Sequence, residues 1–479
     1  MILAPAARRE RNAFESPIAR IHVKRPPMSS YYDGLNLKLL SAIPDDAKRV
    51  LELGCANGRL GRRFKELHPG VHWLGVELNP SAAEDASRVL DKVVMLDLDQ
   101  ADLSTVGQDF DVIVIGDLLE HLKSPGETLS ALYDLSAPNA TIVCCLPNMA
   151  HLSVIERMVS GDISYDQMGL LDQTHTRFFS ASSAFKTFLD NGWLPHLQDQ
   201  YRVEAAQSEF TNCIVQAAMS LGVPANTALF NLGMYQMILV CRKWSMQFLS
   251  TPSVSEAFSV IVPVTNHRQL ELNISRSPGL KEVNAEIIQV EGAGSAAEAF
   301  EIGSRKATHA WRVMAHQDVY FPASSGYALA KHLGILTQSG ANVLPVGFAG
   351  LEKLSDGKLR YAGAVVDRTS LFSHQASGAA VSMDEFAVAL HRDAAVKPDR
   401  SLGWHLWATD LCLQAERLAR RPIGQILDLP LFHNSTNDYQ LPDGFRESGQ
   451  RLLEKYPDLM SIPTLCGLID RKTALAEMA

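Results

Sequence analysis

The chemistry in this sequence begins at a short glycine-rich stretch, RVLELGCANGRLG, where an apolar run from Arg49 to Leu53 leads into Gly54 and Gly58. Glycines there supply the left-handed backbone of a tight turn. In open parallel sheets such a turn, beyond the carboxyl end of the first strand, lets backbone approach a ligand closely. Glu52 is expected at the strand end, facing the crevice. Glu77 in WLGVELNP stands nineteen residues after Gly58, the place from which an acid accepts hydrogen bonds from ribose hydroxyls. Asp97 in VVMLDLD can accept from an adenine amino group, and Asp117 in VIVIGDLLEHL ends a further strand near the reacting centre. Together these residues read as a nucleoside pocket. Dinucleotide enzymes use a similar turn, but as GxGxxG without an acid two residues before the first glycine. Three histidines, His121, His151 and His175, are candidate bases for taking a proton from an acceptor. Each can equally serve as a cap or a satisfied core residue.

A second group of residues lies in the other half of the chain. There Glu291 in QVEGAGS ends a strand and could bond a base or ribose, and Asp318 ends the apolar run of HAWRVMAHQDVYFP. A carboxylate beside a diphosphate can hold Mg²⁺ with one or two protein ligands, because the ion keeps waters and phosphate oxygens. Mn²⁺ would be served by the same oxygens plus an imidazole, which His433 in LPLFHNS could supply. Asp410, in the helix-forming run SLGWHLWATDLCLQAERL, could accept an acceptor hydroxyl's proton or simply cap the helix.

The elements that must carry these residues follow from pattern. From Arg49 onward β-branched runs alternate with helical stretches, as in RVLELG, GRLGRRFKEL, HWLGVEL, PSAAEDASRVL, KVVMLDL and FDVIVIGD, which is the signature of βαβ units in a parallel sheet. NATIVCCLP and MYQMILVCRKW continue the unit to Trp244, and the polar stretch through 245–257 reads as a linker. FSVIVPV and AEIIQVE restart the pattern from Phe258, in a second α/β unit expected to run into a helical C-terminus. Two sizeable domains agree with 479 residues, 46% hydrophobic and 20% charged.

Forty-four Lys plus Arg against 53 Asp plus Glu leave a net charge of −9, which supplies no global basic field for nucleic acid. The seven cysteines are odd in number and lack CxxC spacing, so they read as reduced structural residues of a cytosolic protein. No apolar run reaches the roughly 18 residues of a membrane span. The basic leader 1–30 lacks a proper apolar core for secretion. It reads as a disordered tail, with Met28 as an alternative start, or as a weak anchor to acidic lipid.

Across roughly Tyr31 to Trp244 the sequence resembles the class I S-adenosylmethionine-dependent methyltransferases. ELGCANG is similar to that family's first motif, with Ala56 where its middle glycine often stands, and GVELNP, LDLD and IGDLLEHL are similar to the next three. LDQTHTRFFS, from Leu171 to Ser180, resembles a segment of members that methylate small molecules and sugars. The resemblance implies S-adenosylmethionine as cofactor, with Glu52, Gly54 and Gly58 at its methionine end, Glu77 on ribose and Asp97 on adenine. Cys55, Leu98 and Asp117 join the cofactor-binding positions, and Tyr31 and Tyr32 would cover the cofactor or pack a helix. Over about Phe258 to Ser435 the chain resembles GT-A type glycosyltransferases near family 2. That implies metal and diphosphate at Asp318, acceptor deprotonation at Asp410 with inversion at the anomeric carbon, and His433 completing the metal shell. HQD carries one aspartate where most members have two, and Glu291 stands where an aspartate is usual. The expected protein is therefore a two-domain α/β enzyme, a Rossmann-like methyltransferase sheet followed by a GT-A type nucleotide-diphospho-sugar transferase sheet. Its partners would be a sugar or glycan acceptor and a nucleotide-sugar donor, with peripheral contact to a lipid-linked glycan. The alternative keeps the methyltransferase and makes the second half a non-catalytic carbohydrate-binding or scaffolding module. Methylation of protein or nucleic acid is a third reading, against which the acidic balance and the lack of basic stripes argue.

Overall fold

The computed structural model describes residues 34–203, 208–244, 255–341, 344–376, 378–421, 423–435 and 441–471. The leader 1–30, Tyr31, Tyr32 and residues 245–254 of the expected linker lie outside the described residues.

The first unit is a seven-stranded sheet. Its strands are β1 (Arg49–Leu53), β2 (His72–Glu77), β3 (Lys92–Met95), β4 (Phe110–Gly116), β5 (Ser136–Pro147), β6 (Trp193–Arg202) and β7 (Met234–Lys243). Their order is β3-β2-β1-β4-β5-β7-β6. The first five are parallel, and β7 enters antiparallel between β5 and β6. Central strands buried on both faces need continuous apolar runs, which is why VLEL and VIVI pass without alternation. The order reverses between β1 and β4, and a parallel sheet opens a ligand crevice beyond the carboxyl ends at such a point.

The second unit contains β8 (Phe258–Pro263), β9 (Glu286–Val290), β10 (Trp311–Ala315), β11 (Val319–Tyr320), β12 (Val346–Gly347), β13 (Ala349–Lys353) and β14 (Leu359–Asp367). It continues with β15 (Ser370–His374), β16 (Ala379–Met383), β17 (Ala387–His391), β18 (Gln425–Ile426), β19 (Leu431–His433), β20 (Ser461–Thr464) and β21 (Gly467–Asp470). A six-stranded sheet runs β18-β12-β17-β10-β8-β9, with β10, β8 and β9 mutually parallel and β17 antiparallel to β10. A second sheet runs β11-β19-β14-β13-β16, with β15 added to β14. The helical C-terminus expected from sequence is corrected: among the described residues a single helix, Phe445–Lys455, is followed by the hairpin β20–β21.

One apolar cluster runs through both units, from Leu51, Ile113 and Phe185 to Val260, Val313 and Phe432. Polar contacts pin the join. On helix Ala181–Asp190, Lys186 Nζ donates to the carbonyl of Leu272 at 2.6 Å and to Asn273 Oδ1 at 3.0 Å. Asp190 accepts from Tyr320 Oη at 2.7 Å and from the Ala323 amide at 3.1 Å. At the edge strand, the Leu197 amide donates to the carbonyl of Thr369 and the Leu371 amide to His196 Nδ1.

Candidate active sites

The glycine-rich turn after β1 is as tight as its sequence demands. Gly54 and Gly58 have φ of 68° and 75°, and Ala56 holds φ 47° without the freedom of glycine. A Cβ at Gly58 would stand 2.9 Å from Val89 Cγ2, so the turn also lies too close to the next helix for any side chain. Gly58 opens helix Arg59–Leu67. The acid at the end of β2 reaches back to this turn: Glu77 Oε2 accepts from the Ala56 amide at 2.8 Å, while Oε1 accepts from Leu78 and Asn79 at 3.0 and 2.8 Å. Glu77 thus braces the loop from the rim of the crevice, beside a Leu78 side chain that is 62% exposed. Asp97 is half-buried two residues beyond β3 and accepts from the Asp99 amide and Gln100 Nε2, with the half-buried Leu98 next to it. Turn, carboxylates and exposed apolar surface fit an adenosyl group: acids for hydroxyls and an amino group, and a hydrophobic surface for a ring.

Two expected contacts are corrected. Glu52 does not face the crevice; it is buried, and its Oε2 accepts from Trp73 Nε1 at 2.8 Å. Burial, with Glu77 adding to it, pushes its carboxyl up to about 8 against the Trp73 bond, and the carboxyl braces the indole. Cys55 also turns inward. Its Sγ would stand 2.5 Å from a Cβ on Gly75, and burial pushes its thiol up. Only its backbone can serve a ligand.

Beyond β4, Asp117 (φ 48°) accepts from Gln236 Nε2 at 2.6 Å and Cys145 Sγ at 3.3 Å, and burial raises its carboxyl. Glu120, which sequence reading passed over, is 1% exposed, and burial together with Asp117 holds its carboxyl well above the usual range. The segment around His175 folds back onto this turn, so the rings of His121 and His175 meet edge to face with centroids 4.8 Å apart. Burial and the neighbouring His121 lower His175. His151 stands apart from that pair as the cap of helix Leu152–Val159, where its Nδ1 accepts from the Ser153 amide at 3.2 Å. Its Nε2 has no hydrogen-bond partner, and burial lowers its pKa.

In the second unit the register of β14, β19 and β11 places Asp367, His433 and Val319 in one row. His433 lies between two carboxylates, with Nε2 3.5 Å from Asp318 Oδ1 and Nδ1 3.2 Å from Asp367 Oδ1. These are ion-pair approaches outside hydrogen-bond alignment, so both buried oxygens lack a hydrogen-bond partner. Against the effect of burial, the neighbouring histidines hold Asp318 down to about 2, and the carboxylates hold His433 up to about 10. His316, Asp318 and His433 each offer a ligand atom within 4.8 Å of the others. His433, paired with both carboxylates, would have to release a proton to join Asp318 and His316 around a divalent ion.

Asp410 is corrected as a base. It is 0% exposed and its carboxylate is fully engaged by Tyr456 Oη at 2.7 Å, Lys455 Nζ at 2.9 Å and Gln414 Nε2 at 2.6 Å. It fastens the C-terminal helix. Glu385 precedes Phe386, whose ring stacks on His433 with centroids 5.3 Å apart, and its Oε2 lies 3.8 Å from His405 Nδ1. Burial raises Glu385 to about 7, and its Oε1 has no hydrogen-bond partner. Glu291 lies at the carboxyl end of β9, 62% exposed at its side chain, with an oxygen 3.3 Å from His267 Nε2. Asp367, Glu385 and Glu120 escaped sequence reading, although GAVVDR does show an acid at a strand end.

Residues 28–193 match a family described as a methyltransferase domain. No curated protein matches the chain. Among solved structures, the chain is similar to an S-adenosylmethionine-dependent methyltransferase from Archaeoglobus fulgidus, at 16% identity and TM-score 0.32, covering 45% of this chain and 97% of that one. It is also similar to one from Mesorhizobium loti, at 14% identity and TM-score 0.30, covering 44% of this chain and all of that one. A TehB-like methyltransferase from Corynebacterium glutamicum matches at 16% identity and TM-score 0.28, covering 43% and 85%. Among the described residues no helix is long and apolar enough to cross a membrane. Residues 28–193 are thus similar in sequence to a methyltransferase domain, and the strands they contain position the turn and the carboxylates described above.

Proposed function

We propose that the chain is a bifunctional transferase of surface-polysaccharide assembly. One unit methylates a sugar or glycoconjugate, and the other transfers a glycosyl group from a nucleotide-sugar. The observation that carries the second activity is the convergence of His316, Asp318 and His433 beyond the carboxyl end of the parallel strand β10.

In the first unit, S-adenosylmethionine supplies a methyl carbon on positively charged sulfur, open to in-line displacement. The protein's part is alignment. Gly54 and Gly58 allow close approach of backbone, Glu77 and Asp97 hold the nucleoside, and Asp117 orders the floor between β4, β5 and β7. His121, His175 and His151 act on the acceptor and its proton. In the second unit, a divalent ion would be held by Asp318 and His433 with His316 beside them, and would there neutralise charge on a diphosphate. Asp367 orients the imidazole of His433, and Glu385 takes the acceptor's proton in place of Asp410. Fusion of the two units raises the local concentration of a shared glycan.

Calorimetry with S-adenosylmethionine and hydrolysis of a nucleotide-sugar panel with Mn²⁺ test the two halves separately. Glu77→Ala should weaken cofactor binding by roughly tenfold or more. Asp318→Ala should abolish Mn²⁺-dependent nucleotide release. Unchanged behaviour in either variant refutes that half. A second reading, in which the C-terminal unit binds or scaffolds carbohydrate, is favoured by the way His433 closes a charge triad between Asp318 and Asp367. In that case wild type releases no nucleotide under any metal.

A further inference from the structure

The turn Leu119–His121 after β4 and the segment from Leu171 to Ser180 are stitched together by backbone. The amides of Thr176 and Arg177 both donate to the carbonyl of Glu120, at 2.8 and 3.0 Å. The stitching gathers a carboxylate oxygen of Glu120 and a ring nitrogen from each of His121 and His175 within 4.8 Å of one another. Glu120 is buried and its Oε2 has no hydrogen-bond partner. A buried carboxylate oxygen in that condition needs a proton or a cation.

Each imidazole has its Nδ1 engaged as a donor, which leaves the other ring nitrogen with the lone pair. His175 Nδ1 lies 3.1 Å from the carbonyl of Leu170, so Nδ1 carries the hydrogen and Nε2 the lone pair. Thr174 Oγ1 donates to Asp172 Oδ1 at 2.6 Å and therefore accepts from His121 Nδ1 at 3.0 Å, which again leaves Nε2 as the lone-pair nitrogen. Carbonyl and carboxylate-backed partners on the far nitrogen are what fixes the tautomer and orientation of metal-bound histidines. One carboxylate oxygen and two imidazoles suit Mn²⁺, Fe²⁺ or Zn²⁺ and leave coordination positions open.

We propose that Glu120, His121 and His175 hold a divalent transition-metal ion whose open positions bind a hydroxyl of the methyl acceptor. This inference rests on the methyl-transfer reading and makes the acceptor an oxygen nucleophile. The ion acidifies the hydroxyl it binds, as a Lewis acid does. The hydroxyl proton passes to water, the oxygen forms its bond to the methyl carbon, and the carbon–sulfur bond breaks with its electron pair remaining on sulfur. His121 and His175 then serve as ligands, with Thr174 and Asp172 as positioning residues behind His121.

The test is Mn²⁺ binding to the full chain, stripped with chelator and followed by the loss of the free-ion paramagnetic resonance signal. Asp318→Ala serves as the background, so that the other histidine–aspartate cluster does not contribute. One Mn²⁺ per chain is expected. Its affinity should fall by at least about tenfold when either Glu120→Gln or His175→Ala is added, with S-adenosylmethionine binding by calorimetry retained as the sign of an intact fold. The proposal is overturned if the Asp318→Ala protein binds no Mn²⁺, or if neither added substitution weakens it. Cofactor binding without Mn²⁺ binding sinks the ion and leaves methyl transfer standing; Mn²⁺ binding without cofactor binding does the reverse.

Discussion

Glu52 shows how one residue's type can be right and its surroundings decide its work. An acid two residues before the first glycine suggested a polar contact in the crevice, yet Trp73 Nε1 takes it from the other side at 2.8 Å. Its carboxyl sits at about 8 against an ordinary 4.5, so the folded state keeps a proton that the unfolded chain releases. Stability from this site therefore declines as pH rises from about 4.5 to about 8, the direction opposite to a salt-bridged acid. Glu52→Gln keeps an acceptor for Trp73 and removes the ionisation. Urea denaturation should find the variant the more stable at pH 8, by on the order of a few kcal/mol, and little changed at pH 5. Equal stability at both values would mean that Glu52 ionises freely in the folded chain.

At the scale of elements, the end of helix Phe445–Lys455 is held by two carboxylates, Asp410 and Asp399, which both accept from Lys455 Nζ. Asp410, on helix Trp407–Ala419, receives Lys455 and Tyr456 from the end of that helix, and Ser448 Oγ adds a bond to the carbonyl of Leu402. Asp410→Asn removes the charge while preserving shape, and should lower stability by about 1–3 kcal/mol. Proteolysis should quicken within 441–471, and nucleotide release by the folded fraction should persist. A normally folded Asp410→Asn protein without that release would restore the catalytic role read from sequence. The glycine-rich turn makes a parallel case. At Gly61 a Cβ would fall 2.5 Å from Trp73 Nε1, so the first turn of helix Arg59–Leu67 must be bare for the indole to reach Glu52. Gly61→Ala should cost about 1–3 kcal/mol by thermal melting, because the clash is with a ring already fixed by its own hydrogen bond. An unaltered melt would show that Trp73 can shift freely.

For the whole molecule, helix Ala181–Asp190 links the two crevices. It begins directly after the segment bearing His175, and its far end grips Tyr320, two residues beyond Asp318. Lys186 adds bonds to Leu272 and Asn273 and lies over the Tyr320 ring at 4.8 Å. Asp190→Ala with Lys186→Met should split a single thermal transition into two by calorimetry, because the join then loses the polar contacts of this helix and keeps those of the edge strand, Leu197 to Thr369 and Leu371 to His196. A single unsplit transition would place the coupling in the shared apolar core instead. The alternation of apolar and helical runs was legible from Arg49 to Pro147 and again in β7, whereas β6, exposed or half-buried over most of its length, did not stand out. In the second unit β11, β12 and β18 are two residues long, too short to show any period. The sequence alone therefore determined the parallel strands β1 to β5 and the acid closing β2, since local pattern and chain direction suffice for them. Only the tertiary structure decided that Glu120 meets His175, that Asp367 flanks His433 and that Asp410 is sealed from solvent. Those relations depend on strand register and burial between segments far apart in the chain.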